Sequence, residues 1–211
     1  YGETIVLATA CMSKDKQENL GYFNLTVDYV ERFYASGKIL GSRFMHREGK
    51  PSEDAVLSGR VIDRTLRPLF DQSTRHAVQV IVMVISLGEE DPTVLAVNAA
   101  SIALVVSDIP WNGPVGSIRI CKYDEAWTNK VSPTQAERLE EKYKYDLIVC
   151  GKDGNVNMIE ASAREVGEED LAKVLEEGVK EISKLEEFQK KIVSEIGKKK
   201  RVIEKEELLE Q

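Results

Sequence analysis

The 211-residue sequence is poor in the residues that build several familiar kinds of site. Its three cysteines, Cys11, Cys121 and Cys150, lie far apart with no C-x-x-C pair. That spacing indicates neither a disulfide framework nor a zinc knuckle, and it fits a reducing cytoplasm. With only His46 and His76 present, a histidine-rich metal site is not expected. No apolar stretch reaches the roughly 18 residues that a membrane span requires, and the opening Tyr1-Gly2-Glu3-Thr4 is not a basic stretch running into an apolar one. The expectation is a soluble chain with no membrane partner. There is no G-x-x-x-x-G-K-[ST], G-x-G-x-x-G or G-x-S-x-G, so a mononucleotide kinase or serine hydrolase has no support. Lys and Arg (29) are fewer than Asp and Glu (36), and a net charge of −7 argues against a wholly basic nucleic-acid coat.

What is present suffices for one core. At about 150 residues per domain, the length allows one domain with an appendage or two small ones, and 42% hydrophobic residues can fill the interior. Residues 3–11 (ETIVLATAC) and 23–31 (FNLTVDYVE) are rich in β-branched and aromatic side chains and read as strands joined by a polar loop. A strand so near the first residue presents an edge that proteins usually cover. Residues 35–51 carry three glycines and a closing proline and read as a long loop. Ser52 caps a predicted helix running to Leu66, with Ala55, Gly59, Ile62 and Leu66 on an apolar face and Arg60, Arg64 and Arg67 on a cationic stripe.

The run 77–87 (AVQVIVMVISL) is too continuous for a half-exposed strand and reads as a buried one. Asp91-Pro92 caps a helix over 93–107 that is apolar nearly all round and should be central. A strand at 117–123, a short polar helix near 134–143 and a hairpin of 145–150 with 155–161 turned at Asp153-Gly154 follow. From Glu168 a long amphipathic helix reads as an appendage, and the basic run 198–201 as part of a solvated helix face in preference to a nucleic-acid tail.

Charge is unevenly distributed. Residues 32–67 hold eight basic side chains against four acidic ones, an excess of +4 that leaves −11 for the rest of the chain. A polyanion site on an acidic protein needs this polarity. Phe44, beside Arg43 and three residues before Arg47, offers a ring on which a base can stack while phosphates meet the guanidinium groups. The bland alternative packs Phe44 and Met45 on the core and pairs the arginines with Glu48, Glu53 and Asp63. Asp63 can pair with Arg60 or Arg67, the commoner fate of such helices.

Six motifs in order carry a resemblance: GETIVLATA, FNLTVDYVERFYASGKI, FMHREGKPSE, DRTLRPLF, DIPWNGPVG and DLIVCG. Together they resemble the first ribonuclease-PH-like core domain of the polynucleotide phosphorylase (polyribonucleotide nucleotidyltransferase) family. The similarity covers residues 1–163, with strands missing before the first motif, and residues 164–211 resemble the start of the family's all-helical segment. The resemblance implies an α+β, two-layer ribonuclease-PH-like (ribosomal S5 domain 2-like) core followed by a helical segment. It also implies a homotrimeric ring pairing this core with a second core of the same chain around single-stranded RNA. The reaction implied is 3′ to 5′ phosphorolysis, with Mg2+ and inorganic phosphate held by the second core and not by this one.

Where active cores carry a Thr/Ser/Arg phosphate loop, this chain has Asp91-Pro92-Thr93-Val94, and where they read D-x-D it has Lys144-Tyr145-Asp146. A lysine cannot ligate a metal as a carboxylate does. No catalytic residue and no metal ligand is therefore assigned to this chain. The family's F-F-R-R-E loop is matched by Phe44, Met45, His46, Arg47 and Glu48, and two departures from it, Met45 and His46, should weaken the hold on RNA. The RNA-binding set is Arg43, Phe44, His46, Arg47, Arg64 and Arg67. A purely architectural ring subunit and a stand-alone RNA-binding module remain open beside this reading.

Overall fold

The computed structural model describes residues 1–17, 21–39, 41, 50–123, 129–139 and 143–203. The two early β-branched runs are strands, Ile5–Met12 (β1) and Leu25–Val30 (β2), but they do not pair with each other. Both flank a third strand, Val78–Ser86 (β3), β1 antiparallel and β2 parallel to it. Parallel pairing needs a crossover, and the helix Glu53–Leu66 (α1) supplies it. Ser52 Oγ accepts the Ala55 N–H at 3.0 Å to start α1, and Glu53 and Asp54 occupy its first turn.

The continuous apolar run is buried on one face only, which corrects the expectation of a fully buried strand. Val78, Val80, Val82 and Val84 are at most 2% exposed, whereas Ile85 on the opposite face is 36% exposed. Ile5 and Leu7 of β1 lie on that same outer face. Central position in a sheet does not bury both faces; a second layer must do so, and among the described residues this face meets the short turn 33–36, whose Tyr34 hydroxyl donates to Met83 Sδ at 3.3 Å, while Ile5, Leu7 and Ile85 stay exposed.

Beneath the inner face, α1 lies beside the helix Pro92–Val106 (α2), whose nearly all-round apolar sequence is explained by a second sheet on its far side. That sheet orders as Lys130–Val131 (β5), Gly116–Tyr123 (β4), Tyr143–Lys152 (β6) and Asn155–Ala163 (β7), all antiparallel. The β6–β7 turn places Asp153 (φ 49) and Gly154 (φ 79) in the left-handed region favoured by its Asp-Gly sequence. Within the described residues the short polar helix spans Gln135–Leu139 (α3), and Tyr143 already belongs to β6.

Side chains join the layers. Trp111 donates its indole N–H to Leu66 O at 3.1 Å, closing the end of α1, while its ring lies tilted against that of Phe70, the centroids 6.1 Å apart. Asn98 of α2 exchanges two 2.9 Å hydrogen bonds with the main chain of Ser117. The long helix Glu168–Ile196 (α4) packs on the outer face of the second sheet, over Ile118, Ile120, Leu147 and Val149. It is fixed there by a buried polar triangle. Ser101 Oγ donates to Gln189 Oε1 at 2.6 Å, Gln189 Nε2 donates to Val115 O at 2.8 Å, and the Val115 N–H returns to Ser101 Oγ at 3.0 Å. Gly116 allows the close approach, since a Cβ there would stand 2.9 Å from Ile182 Cγ2. The helix read as an appendage is thus packed into the fold.

The basic run after α4 is not part of a helix face, contrary to expectation. Residues 198–201 have no regular secondary structure, and the Lys198 and Arg201 N–H groups donate to Val106 O and Asp108 O. Lys200 Nζ donates to Leu104 O, Val105 O and Ser107 O at 2.8, 3.1 and 2.8 Å, placing an ammonium at the negative end of α2.

Candidate functional site

Two groups of arginines are arranged in opposite ways. The first belongs to the basic segment. Arg43, Phe44, His46 and Arg47, the centre of the proposed RNA grip, lie outside the described residues. The helix that follows them is described, and it presents Arg60 and Arg64 on its exposed face, with Val56 and Leu57 also exposed toward its start.

Arg67 differs from its neighbours on the stripe. Its guanidinium grips Asp63 with both arms, Nε to Oδ2 at 3.0 Å and Nη2 to Oδ1 at 2.6 Å. It also donates to Leu25 O at 3.1 Å and Phe23 O at 3.4 Å. The i,i+4 pairing read from the sequence is therefore present, and it ties α1 to the start of β2. Of the sequence-predicted residues, the structure presents Arg64 to solvent and engages Arg67 within the fold.

The second group was not read from the sequence. On the face of the second sheet that looks toward α2, Arg119 of β4 donates Nε to Asp146 Oδ1 at 2.6 Å and Nη2 to Asp146 Oδ2. Its remaining arm, Nη1, reaches Asp91 Oδ2 at 2.5 Å. Arg138 of α3 donates Nη1 to the same Asp91 oxygen at 3.4 Å and holds Nε 3.8 Å from Asp146 Oδ2. The side chains of Asp91, Asp146 and Arg119 are 7%, 9% and 13% exposed, so this is a buried array with two positive and two negative charges.

The array's electrostatics follow from its geometry. Burial pushes the Asp146 carboxyl up, but the Arg119 hydrogen bonds and charge outweigh it and hold the group below the ordinary aspartate range. Cys121 Sγ donates to Asp146 Oδ1 at 3.1 Å, and burial together with that carboxylate pushes its thiol up to about 12. The thiol is therefore no nucleophile at neutral pH.

A cleft of about 410 Å3 opens beside the array, lined among others by Arg138, Tyr143, Glu160 and Ser162. Asp146 does not fit a metal-ligand role: both its oxygens accept from Arg119 and its strand neighbour two residues back is Lys144. Among the described residues, no three His, Cys, Asp or Glu side chains converge as a metal site. One sequence feature could have disclosed the array. In SIRICKY, Arg119 alternates with Ser117 and Cys121 on one face of a strand that is otherwise buried, a position where a cation requires a buried partner.

Comparison of its sequence with known proteins places the chain in a known class. It belongs to the 3′ exoribonuclease family, whose domain 1 matches residues 1–110. The polyribonucleotide nucleotidyltransferase of Caldicellulosiruptor bescii is 46% identical over 201 residues, covering 95% of this chain and 28% of that protein. The enzyme of the same name from Halothermothrix orenii is 44% identical over 209 residues, 99% of this chain and 29% of that protein. The chain thus spans under a third of the length of these relatives, and it resembles their first ribonuclease-PH-like core. The crystal structure of rice (Oryza sativa) Rrp46 superposes with a TM-score of 0.70 at 19% identity, over 91% of this chain and 84% of that one, which establishes the shared fold. No described helix is long and apolar enough to cross a membrane.

Proposed function

We propose that this chain is the RNA-gripping, non-catalytic first core of a cytoplasmic polyribonucleotide nucleotidyltransferase, a phosphate-dependent 3′ to 5′ exoribonuclease of RNA degradation. Residues 1–163 form that core and 164–211 begin the helical segment. The observation that carries the reading is the contrast between the two arginine groups. The arginines of the basic segment that α1 exposes are available to a polyanion, while those beside the cleft are neutralised by the chain's own carboxylates.

In this scheme Phe44 stacks on a base while Arg43, Arg47 and Arg64 meet successive phosphates, with His46 contributing more weakly at neutral pH. Arg67 acts as a positioning residue that holds α1. Phosphorolysis, in which inorganic phosphate attacks the terminal phosphodiester and a nucleoside diphosphate leaves, belongs to a second core that holds phosphate and Mg2+. The apolar residues exposed on the outer face of the first sheet, Ile5, Leu7 and Ile85 among the described residues, favour an assembled homotrimer, since apolar faces are normally covered. They also support the architectural role as a second reading. Either Arg47→Ala or Phe44→Ala in the full-length trimer should weaken single-stranded RNA binding and processivity with the fold intact. Unchanged oligoadenylate affinity at several salt concentrations would reject the grip and leave the architectural reading.

A further inference from the structure

The central helix α2 does not close its own C-terminus. A helix that does so commonly follows its last turn with a glycine in the left-handed region, or places a basic side chain within that turn. α2 has neither: its last turn carries no basic residue, and Ser107 after it is extended (φ −73, ψ 172). The carbonyls there are served instead by residues that follow α4. The Lys198 and Arg201 N–H groups donate to Val106 O at 3.0 Å and Asp108 O at 2.8 Å. Lys200 Nζ donates to Leu104 O, Val105 O and Ser107 O, and Arg201 Nε meets Asp108 Oδ2 at 2.5 Å. Every one of these contacts is polar. The four residues 198–201 are all cationic; Lys198, Lys199 and Arg201 are exposed and Lys200 is half-buried.

We infer that residues 198–201 form a latch: a strap that closes the end of α2 and opens as a unit, before α4 or the core unfolds, freeing the chain after α4 to move. Apolar burial is what makes an element costly to detach. α4 buries Val174 and Ile182 against the second sheet and shares the Ser101–Gln189–Val115 triangle, so its departure exposes core. The strap buries no apolar side chain of its own, and water can take over each of its hydrogen bonds. Leu104 O is not left bare when the strap leaves, because Ser107 Oγ also donates to it at 2.8 Å. Holding the strap shut carries a cost as well. Burial pushes the Lys200 ammonium below the ordinary lysine range, and the nearby Asp108 charge offsets this only in part. The end of the central helix is thus held by contacts that are numerous, specific and replaceable by solvent.

The inference depends on these contacts and not on the RNA-gripping reading, and native-state hydrogen exchange of the intact protein tests it. In the parent, the Lys198 and Arg201 amides should exchange at least about tenfold faster than those around Gln189 in α4, at rates that urea below the unfolding transition leaves unchanged, since opening the strap exposes little surface. Lys200→Met keeps the aliphatic stem and removes the ammonium. Because hydrogen bonds to a charged group are the stronger ones, both amides should then accelerate together by about tenfold or more, with those around Gln189 unchanged. Arg201→Gln should accelerate the same two amides in step, by a smaller factor. Amides at Lys198 and Arg201 that exchange at the rate of those around Gln189, and rise with them in urea, overturn the proposal, because the strap is then a fixed cap released only by unfolding. A variant that accelerates one of the two amides alone also overturns it, since the contacts would then be separate. The parent's urea series decides the matter even if Lys200→Met does not fold.

Discussion

Arg64 and Arg119 are the same side chain put to opposite uses, and backbone register decides which. On α1, a position two residues from both Ile62 and Leu66 lies about 160° round the helix from each, so Arg64 meets water. On β4, the period of two places Arg119 on the inward face with Ser117 and Cys121, diagonal to Asp146 across the β4–β6 ladder. An exposed arginine contributes little to stability and remains free for a ligand. A buried one is held by its carboxylates, costs stability when it alone is removed, and is unavailable to a ligand. Counting basic residues in a sequence therefore measures neither binding nor stability until register assigns each to one group or the other.

The contrast is broken most severely at Arg119. Arg119→Met leaves Asp91 and Asp146 buried without their main cation, and removal of one partner from a buried ion pair costs about 3–5 kcal/mol. Urea unfolding of the intact protein should register this loss, and adding Asp146→Asn should recover part of it. A cost near zero would mean that the array is solvated and the distinction between the two groups is false. The polar triangle under α4 ranks next. Gln189→Ala removes the acceptor of the Ser101 hydroxyl and the donor to Val115 O in a site 1% exposed, and orphaned buried groups cost about 1–3 kcal/mol. Its effect should appear in α4 first, as faster amide exchange along the buried face of the helix.

Acid sharpens the comparison further. Asp146 is held below its ordinary value of 3.8, so its contribution is fully present above that value. It is lost as pH falls below 3.8 and through the lower folded value, because the unfolded chain then takes up the proton first. The parent's urea midpoint should fall with pH across this window, and Asp146→Asn should flatten that part of the curve. Arg64 is exposed and has no buried carboxylate partner among the described residues, so Arg64→Ala should leave the acid limb unchanged.

Much of this layout is legible in the sequence, and the failures have physical causes. Caps and turns are local, and Ser52, Asp91 and Asp153-Gly154 act as read because each depends on its own few residues. The long helix is equally clear from its period, but its docking is not. Gln189 and Ser101 are 88 positions apart, and nothing local marks them as partners. The strand 78–86 was read as buried on both faces because hydrophobicity records what a face is suited to, not what covers it in a single chain. The run 198–201 resembled a solvated face because charge was counted without its acceptors, the carbonyls closing α2. Asp91 was identified as a cap through one oxygen, while the other oxygen, which meets Arg119 and Arg138, depends on contacts 28 and 47 residues away.

The smallest expected effect separates an exposed arginine from an engaged one most cleanly, because it sets neighbours on one stripe against each other. Arg64→Ala removes an exposed side chain, and substitutions of this kind lie within about 0.5 kcal/mol of neutral. If Arg64 meets a phosphate of the bound strand, the slope of log K against log salt for oligoadenylate binding should fall by about 0.7, one counterion's share for a single strand. Arg67→Ala should behave in the opposite way. It leaves Asp63 unpaired and removes the donors to Phe23 O and Leu25 O, so unfolding should become easier while the salt slope of the remaining folded protein stays as it was. A salt slope that changes for Arg67 and not for Arg64 would reverse the assignment and put the brace, not the exposed stripe, in the path of the RNA.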